Sequence, residues 1–119
     1  MKVAVSSLGE SLDSQVNPRF GRSEIFVIID TADDRYRVLQ NSSVRSSGGA
    51  GVETVSLLAD QGIDAVVSGY IGPHAQRALD ARGIAAYSVA SGTVAEVVAR
   101  LKAGTLPLHP RTEGKGGVI

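Results

Sequence analysis

No cysteine occurs among the 119 residues. That absence removes disulfides, thiolate nucleophiles and cysteine-ligated zinc or iron–sulfur sites together. Histidine is scarce, with His74 and His109 the only imidazoles. Glu10 and Asp13 share a loop but have no partner of complementary role, so neither a Ser-His-Asp nor a two-carboxylate mechanism can be assembled and no catalytic residue is assigned. Neither sign of charge prevails: twelve basic and twelve acidic side chains cancel to zero. Net charge therefore gives no reason to expect nucleic acid or membrane as a partner, and a small ligand fits better. Long apolar runs are missing too. "MKVAVSSLGE" has only Val3, Ala4 and Val5 as an apolar stretch, too short for a signal-peptide core, and no run approaches membrane-spanning length. A cytoplasmic, non-enzymatic protein is expected.

What is present suits one core. At this length and 43% hydrophobic composition a single domain is expected, spanning 1 to 103, with a Pro- and Gly-marked tail at 104 to 119. "KVAVSS" reads as a strand buried on both faces. A long polar loop follows, "SLGESLDSQVNPRFGRS", in which Phe20 is the anchor. "EIFVIID" and "RYRVLQN", joined by "TADD", form a hairpin. From Gly51 the order becomes helix, strand, helix, strand, helix. The first helix places Val52, Val55, Leu58 and Ala59 on one face and stops at Gly62. The second opens at Pro73, stops at Gly83 and turns Ala78 and Leu79 inward. The third begins with a capping box, Thr93 and Glu96, ahead of Val94, Val97, Val98 and Leu101.

This order builds an α/β fold, a mixed sheet with helices on its faces, in which right-handed crossovers make the later strands parallel to the first. With only the second strand antiparallel, the loops 6 to 23, 42 to 51, 68 to 73 and 88 to 93 leave one edge, where open α/β sheets bind ligands. Those loops are rich in Ser and Gly and carry Arg19, Arg22 and Arg45. Helix N-termini at the same edge favour an anion. Yet "GAGVET" lacks the third glycine of a dinucleotide fingerprint, and Gly114-Lys115 is followed by Gly116, so there is no Walker A motif. "SSGGAGV", residues 46 to 52, is either a tight strand-to-helix turn or an anion cradle. His74 is either an exposed first-turn residue or a ligand contact, and Arg19 and Arg22 are either solvated surface charge or anion-binding groups.

Three ordered stretches, "VSSLGESLDSQVNPRFGRSEIFVIID", "GGAGV" and "VVSGYIGPHAQRALDARGIAAY", followed by "TVAEVV", resemble the dinitrogenase iron-molybdenum cofactor biosynthesis family of small NifX- and NifY-type proteins over roughly residues 1 to 103. The resemblance implies a ribonuclease-H-like three-layer fold, strand order 3-2-1-4-5 with the second strand antiparallel, and three helices. It also implies a carrier or chaperone of an iron-sulfur or iron-molybdenum cluster, working between cluster donor and acceptor proteins in nitrogen fixation, as a monomer or weak dimer. Cofactor-binding members often carry His before the Phe-Gly of the first loop, where this chain has Arg19. After Gly72-Pro73, Asn is common where this chain has His74. The resemblance thus leaves iron ligation to His74, with Arg19, Arg22, Ser47, Gly48, Gly49 and Gly72 holding the cluster's negative charge. Two other readings use the same edge or tail: a metal-free sensor of a small oxyanion or phosphorylated metabolite, and a protein-interaction module.

Overall fold

A computed structural model describes residues 1 to 45 and 50 to 108. Five strands and three α-helices alternate as read from the sequence: β1 (Lys2–Ser7), β2 (Ile25–Asp30), β3 (Tyr36–Gln40), α1 (Ala50–Asp60), β4 (Ala65–Ser68), α2 (Pro73–Ala81), β5 (Ala85–Ser88) and α3 (Val94–Lys102). They form one sheet of order β3-β2-β1-β4-β5. β1 pairs antiparallel with β2, β2 antiparallel with β3, and β4 is parallel to both β1 and β5. The expected topology is the observed one.

The period-two alternation of the strands divides the interior into two layers. Val3, Val5, Val27, Ile29 and Val67 face α3 and its Val94, Val97, Val98 and Leu101. Ala4, Phe26, Ile28 and Val66 face the opposite way, toward Val55 and Leu58 of α1 and Ala75 and Leu79 of α2. Because β1 has a core on each side, it shows no polar alternation. Truncating Leu58 or Leu79, both fully buried, would cost about 2–5 kcal/mol.

The helix ends follow their sequence signals. Gly62 and Gly83 close α1 and α2 at φ 74° and 70°, a conformation that only glycine adopts without strain. Thr93 and Glu96 form the expected capping box, with Glu96 N donating to Thr93 Oγ1 and Thr93 N donating to Glu96 Oε1. Two details differ. α1 starts at Ala50, and Val52, expected on its buried face, is 40% exposed. Residues 105 to 108, read as part of the Pro- and Gly-marked tail, lie against the sheet: Leu106 is buried, Leu108 bridges Tyr87, and Ser88 N donates to Pro107 O. β5 is an edge strand, and this turn of chain covers part of its free side.

Candidate functional site

Parallel crossovers place the N-termini of α1 and α2 and the ends of β1 and β4 at one sheet edge, and buried hydroxyls fasten the long first loop there. Ser6 on β1 and Ser68 on β4 are both fully buried, with their Oγ atoms 2.8 Å apart. Ser6 Oγ also lies 2.7 Å from Asn17 O. A hydroxyl has one proton, and Ser6 shares its own between the Asn17 carbonyl and Ser68 Oγ. Asn17 N returns a bond to Ser6 O, and Asn17 Oδ1 accepts from Arg19 N. Arg19 thus leaves the sheet from a fixed point.

The next residues are tied to the loop after β4. Tyr70 N donates to Pro18 O at 2.7 Å, and Phe20 N donates to Tyr70 O at 3.0 Å. This approach is possible because residue 69 is glycine, since a Cβ there would fall 2.7 Å from Pro18 Cα and O. Phe20 turns inward, 1% exposed, and meets Phe26 edge to face at 5.5 Å; the expected anchor is present. It starts a 3₁₀ turn, Phe20–Arg22, where a Cβ on Gly21 would stand 3.2 Å from Gly51 Cα, and one on Gly51 3.2 Å from Ala75 Cβ. Small residues therefore let the first loop, α1 and α2 converge.

α1 is held from the other side. Asn41, after β3, is 3% exposed and donates through Nδ2 to Ser23 O and Thr54 Oγ1, both at 2.9 Å. Thr54 Oγ1 in turn donates to Ala50 O. Sequence reasoning passed over Ser23, Asn41 and Thr54, because an Asn at a strand end carries the signature of any turn.

These contacts enclose a cavity of 330 Å³ lined by Arg19 to Arg22, Gly51, Val52, Tyr70 and Gly72 to Ala75. Of the residues expected to bind, Arg19, Arg22, Gly72 and His74 meet here, and Ser47, Gly48 and Gly49 lie outside the described residues. The apolar part of the wall, Phe20, Val52, Tyr70 and Ala75, was missed. Its signal was faint, a lone tyrosine in an edge loop; Tyr70 is 61% exposed.

Charge and donors complete the site. Arg19 and Arg22 are exposed, and neither guanidinium has an ion pair among the described residues. α2 begins at Gly72 with no side-chain cap, and its first helical bond runs from Gln76 N to Gly72 O. The N–H groups of His74 and Ala75 are left without an intrahelical acceptor. His74 Nδ1 lies 3.0 Å from Arg77 Nη2. Among the described residues no group of three or more His, Asp or Glu side chains could hold a metal ion, and no helix is long and apolar enough to cross a membrane. The arrangement can receive an anion with an apolar body.

Comparison with known proteins agrees with this architecture. The family model described as "Dinitrogenase iron-molybdenum cofactor" matches residues 1 to 104. An uncharacterized protein of Methanocaldococcus jannaschii is 26% identical over 110 residues, covering 89% of this chain and 93% of its own. The apo form of the orange protein from Desulfovibrio gigas superposes with a TM-score of 0.89 at 37% identity, over 92% of this chain and 93% of that one. A Thermotoga protein described as a candidate NifB protein gives 0.80 at 31% identity, over 93% and 97%.

Proposed function

The chain belongs to the dinitrogenase iron-molybdenum cofactor family, and on that premise we propose that it is a non-catalytic carrier of an anionic iron–sulfur or iron–molybdenum type cluster. The observation that carries this reading is the pairing of two guanidiniums, without a carboxylate partner among the described residues, with an apolar cavity at the uncapped start of α2. A small, strongly hydrated oxyanion would have to shed its water against Phe20, Val52 and Ala75, whose side chains return no hydrogen bonds. A larger anion of lower charge density loses less on entry and gains contact with the same wall. Without cysteine, the cargo would be held mainly by charge, hydrogen bonds and apolar contact, which suits uptake and release. A relative described as an apo form fits a protein that alternates between empty and loaded states. Cytoplasmic donor and acceptor proteins would hand over and receive the cluster.

The test is an anaerobic titration of the full chain with a synthetic thiolate-ligated iron–sulfur cubane dianion, followed by visible absorbance and amide NMR. Saturable binding is expected, with shifts concentrated at residues 19 to 22, 51 to 52 and 70 to 75. The Arg19→Ala, Arg22→Ala double variant should bind roughly ten- to a hundredfold more weakly, since each charged hydrogen bond contributes about 1.5–3 kcal/mol before solvent screening. It should keep its unfolding midpoint. Tight binding of molybdate or phosphate with no response to the cubane would replace the carrier with an oxyanion sensor.

A further inference from the structure

His74 is one of two imidazoles in the chain, and its bond to Arg77 constrains its chemistry. The two residues stand three apart on α2, which brings their side chains onto one helical face. Arg77 Nη2 lies 3.0 Å from His74 Nδ1. A guanidinium has only donors. Nδ1 must therefore be the acceptor, with its lone pair directed at Arg77, and the proton of the neutral ring is on Nε2. A metal-binding histidine is normally the reverse case, giving its second N–H to a carboxylate or carbonyl that raises the basicity of the ligating nitrogen. Here the second nitrogen faces a cation. To offer a lone pair from Nε2, the ring would have to move its proton to Nδ1, breaking the Arg77 bond and turning an N–H toward a guanidinium.

His74 nevertheless lines the cavity together with Arg19, Arg22 and Gly72, beside N–H groups at the start of α2 that have no intrahelical acceptor. We infer that His74 serves this site as a neutral hydrogen-bond donor through Nε2–H, directed at the sulfide or oxygen surface of the bound anion, and that Arg77 is the positioning residue that fixes its tautomer. This replaces the expectation that His74 ligates iron. The inference rests on the carrier reading for its ligand, and on the His74–Arg77 geometry alone for the state of the ring.

Two measurements on the full chain separate those dependencies. Long-range proton–nitrogen spectra of the imidazole rings at mildly alkaline pH, with the His74 signals assigned by their loss in His74→Gln, should show the Nε2–H tautomer in the wild type and a shift toward a mixture in Arg77→Leu. A dominant Nδ1–H tautomer in the wild type, or an unchanged pattern in Arg77→Leu, would overturn the inference without touching the carrier reading. In titrations with the iron–sulfur cubane dianion, His74→Gln, whose amide can still donate, should bind within about threefold of wild type, while His74→Ala should lose about five- to tenfold, as for one solvent-screened hydrogen bond. Equal losses in both variants would identify the ring nitrogen as a ligand and overturn the donor role. If the wild type itself does not bind, the carrier reading fails and the donor role with it, while the ring spectra still decide the tautomer.

Discussion

Replacing Gly72 with aspartate should make the protein more stable and its site worse. Gly72 is the N-cap of α2, at φ −65° and ψ 163°, with no side chain to meet the free N–H groups of the first turn. A Cβ at this position meets nothing within 4 Å, so a larger residue fits without strain. An aspartate carboxylate would accept from His74 N or Ala75 N, a gain of a few tenths of a kcal/mol over glycine. Its charge against the positive end of the helix adds about 0.3–1 kcal/mol. The lost freedom of glycine in the unfolded chain adds about 0.4–1 kcal/mol. Together these amount to about 1–2 kcal/mol, a rise in Tm of roughly 4–8 °C for a domain of this size. The same carboxylate would occupy the donors offered to the cargo and repel its charge, and affinity for the cubane dianion should fall at least about tenfold. Urea unfolding and the anaerobic titration read the two effects separately. A destabilised variant would refute the cap geometry. A stabilised variant with unchanged affinity would refute the assignment of the α2 N-terminus to the site.

Gly69→Ala should cost about 1–3 kcal/mol, because its Cβ would fall 2.7 Å from Pro18 backbone and the first loop must shift to admit it; the urea midpoint should fall with the slope unchanged. Ser6→Ala should cost about 1–3 kcal/mol by taking the donor from both Ser68 Oγ and the Asn17 carbonyl, and Ser68→Ala should cost less, since Ser6 still donates to Asn17; the opposite ranking in urea unfolding would refute Ser6 as the shared donor. Asp30 titrates below its ordinary value of 3.8, chiefly because the Ala32 N–H donates to it, with the N-terminal ammonium and Lys2 adding to the effect. A carboxylate lowered in the folded state stabilises the fold at pH above about 4 and loses that contribution as pH falls through its folded pKa. Asp30→Asn should flatten that part of the acid-unfolding curve, and an unchanged curve would remove Asp30 from the account.

Much of the fold was legible because its elements carry separable signals. β1 reads as buried on both faces because each face meets a core, and Thr93 with Glu96 announces α3 by chemistry that works locally. Phe20 was recognisable as an anchor because an aromatic in a polar loop has few uses other than packing. Val52 was misplaced because helical periodicity locates an apolar stripe without its width, and at the first turn of α1 that stripe opens onto a cavity. The packing of Leu106 was hidden by the prolines and glycines around it, which mark a break in regular structure and do not indicate where the chain goes next.

The sequence by itself determined the two apolar periods, the helix stops at Gly62 and Gly83, the crossover handedness and, through them, which loops share an edge. These depend on backbone sterics and on burial patterns that repeat within a few residues. Only the tertiary structure decided which of those loop residues act together. Gly69 admits Pro18, Gly21 approaches Gly51, Asn41 reaches Thr54, and Ser6 finds Ser68 sixty-two positions away. Such contacts follow from the pairing of strands remote in sequence, and no local pattern records them. The same holds for His74: its place at a helix start is written in Pro73, whereas the nitrogen it leaves free was decided by the side chain of Arg77 on the next turn.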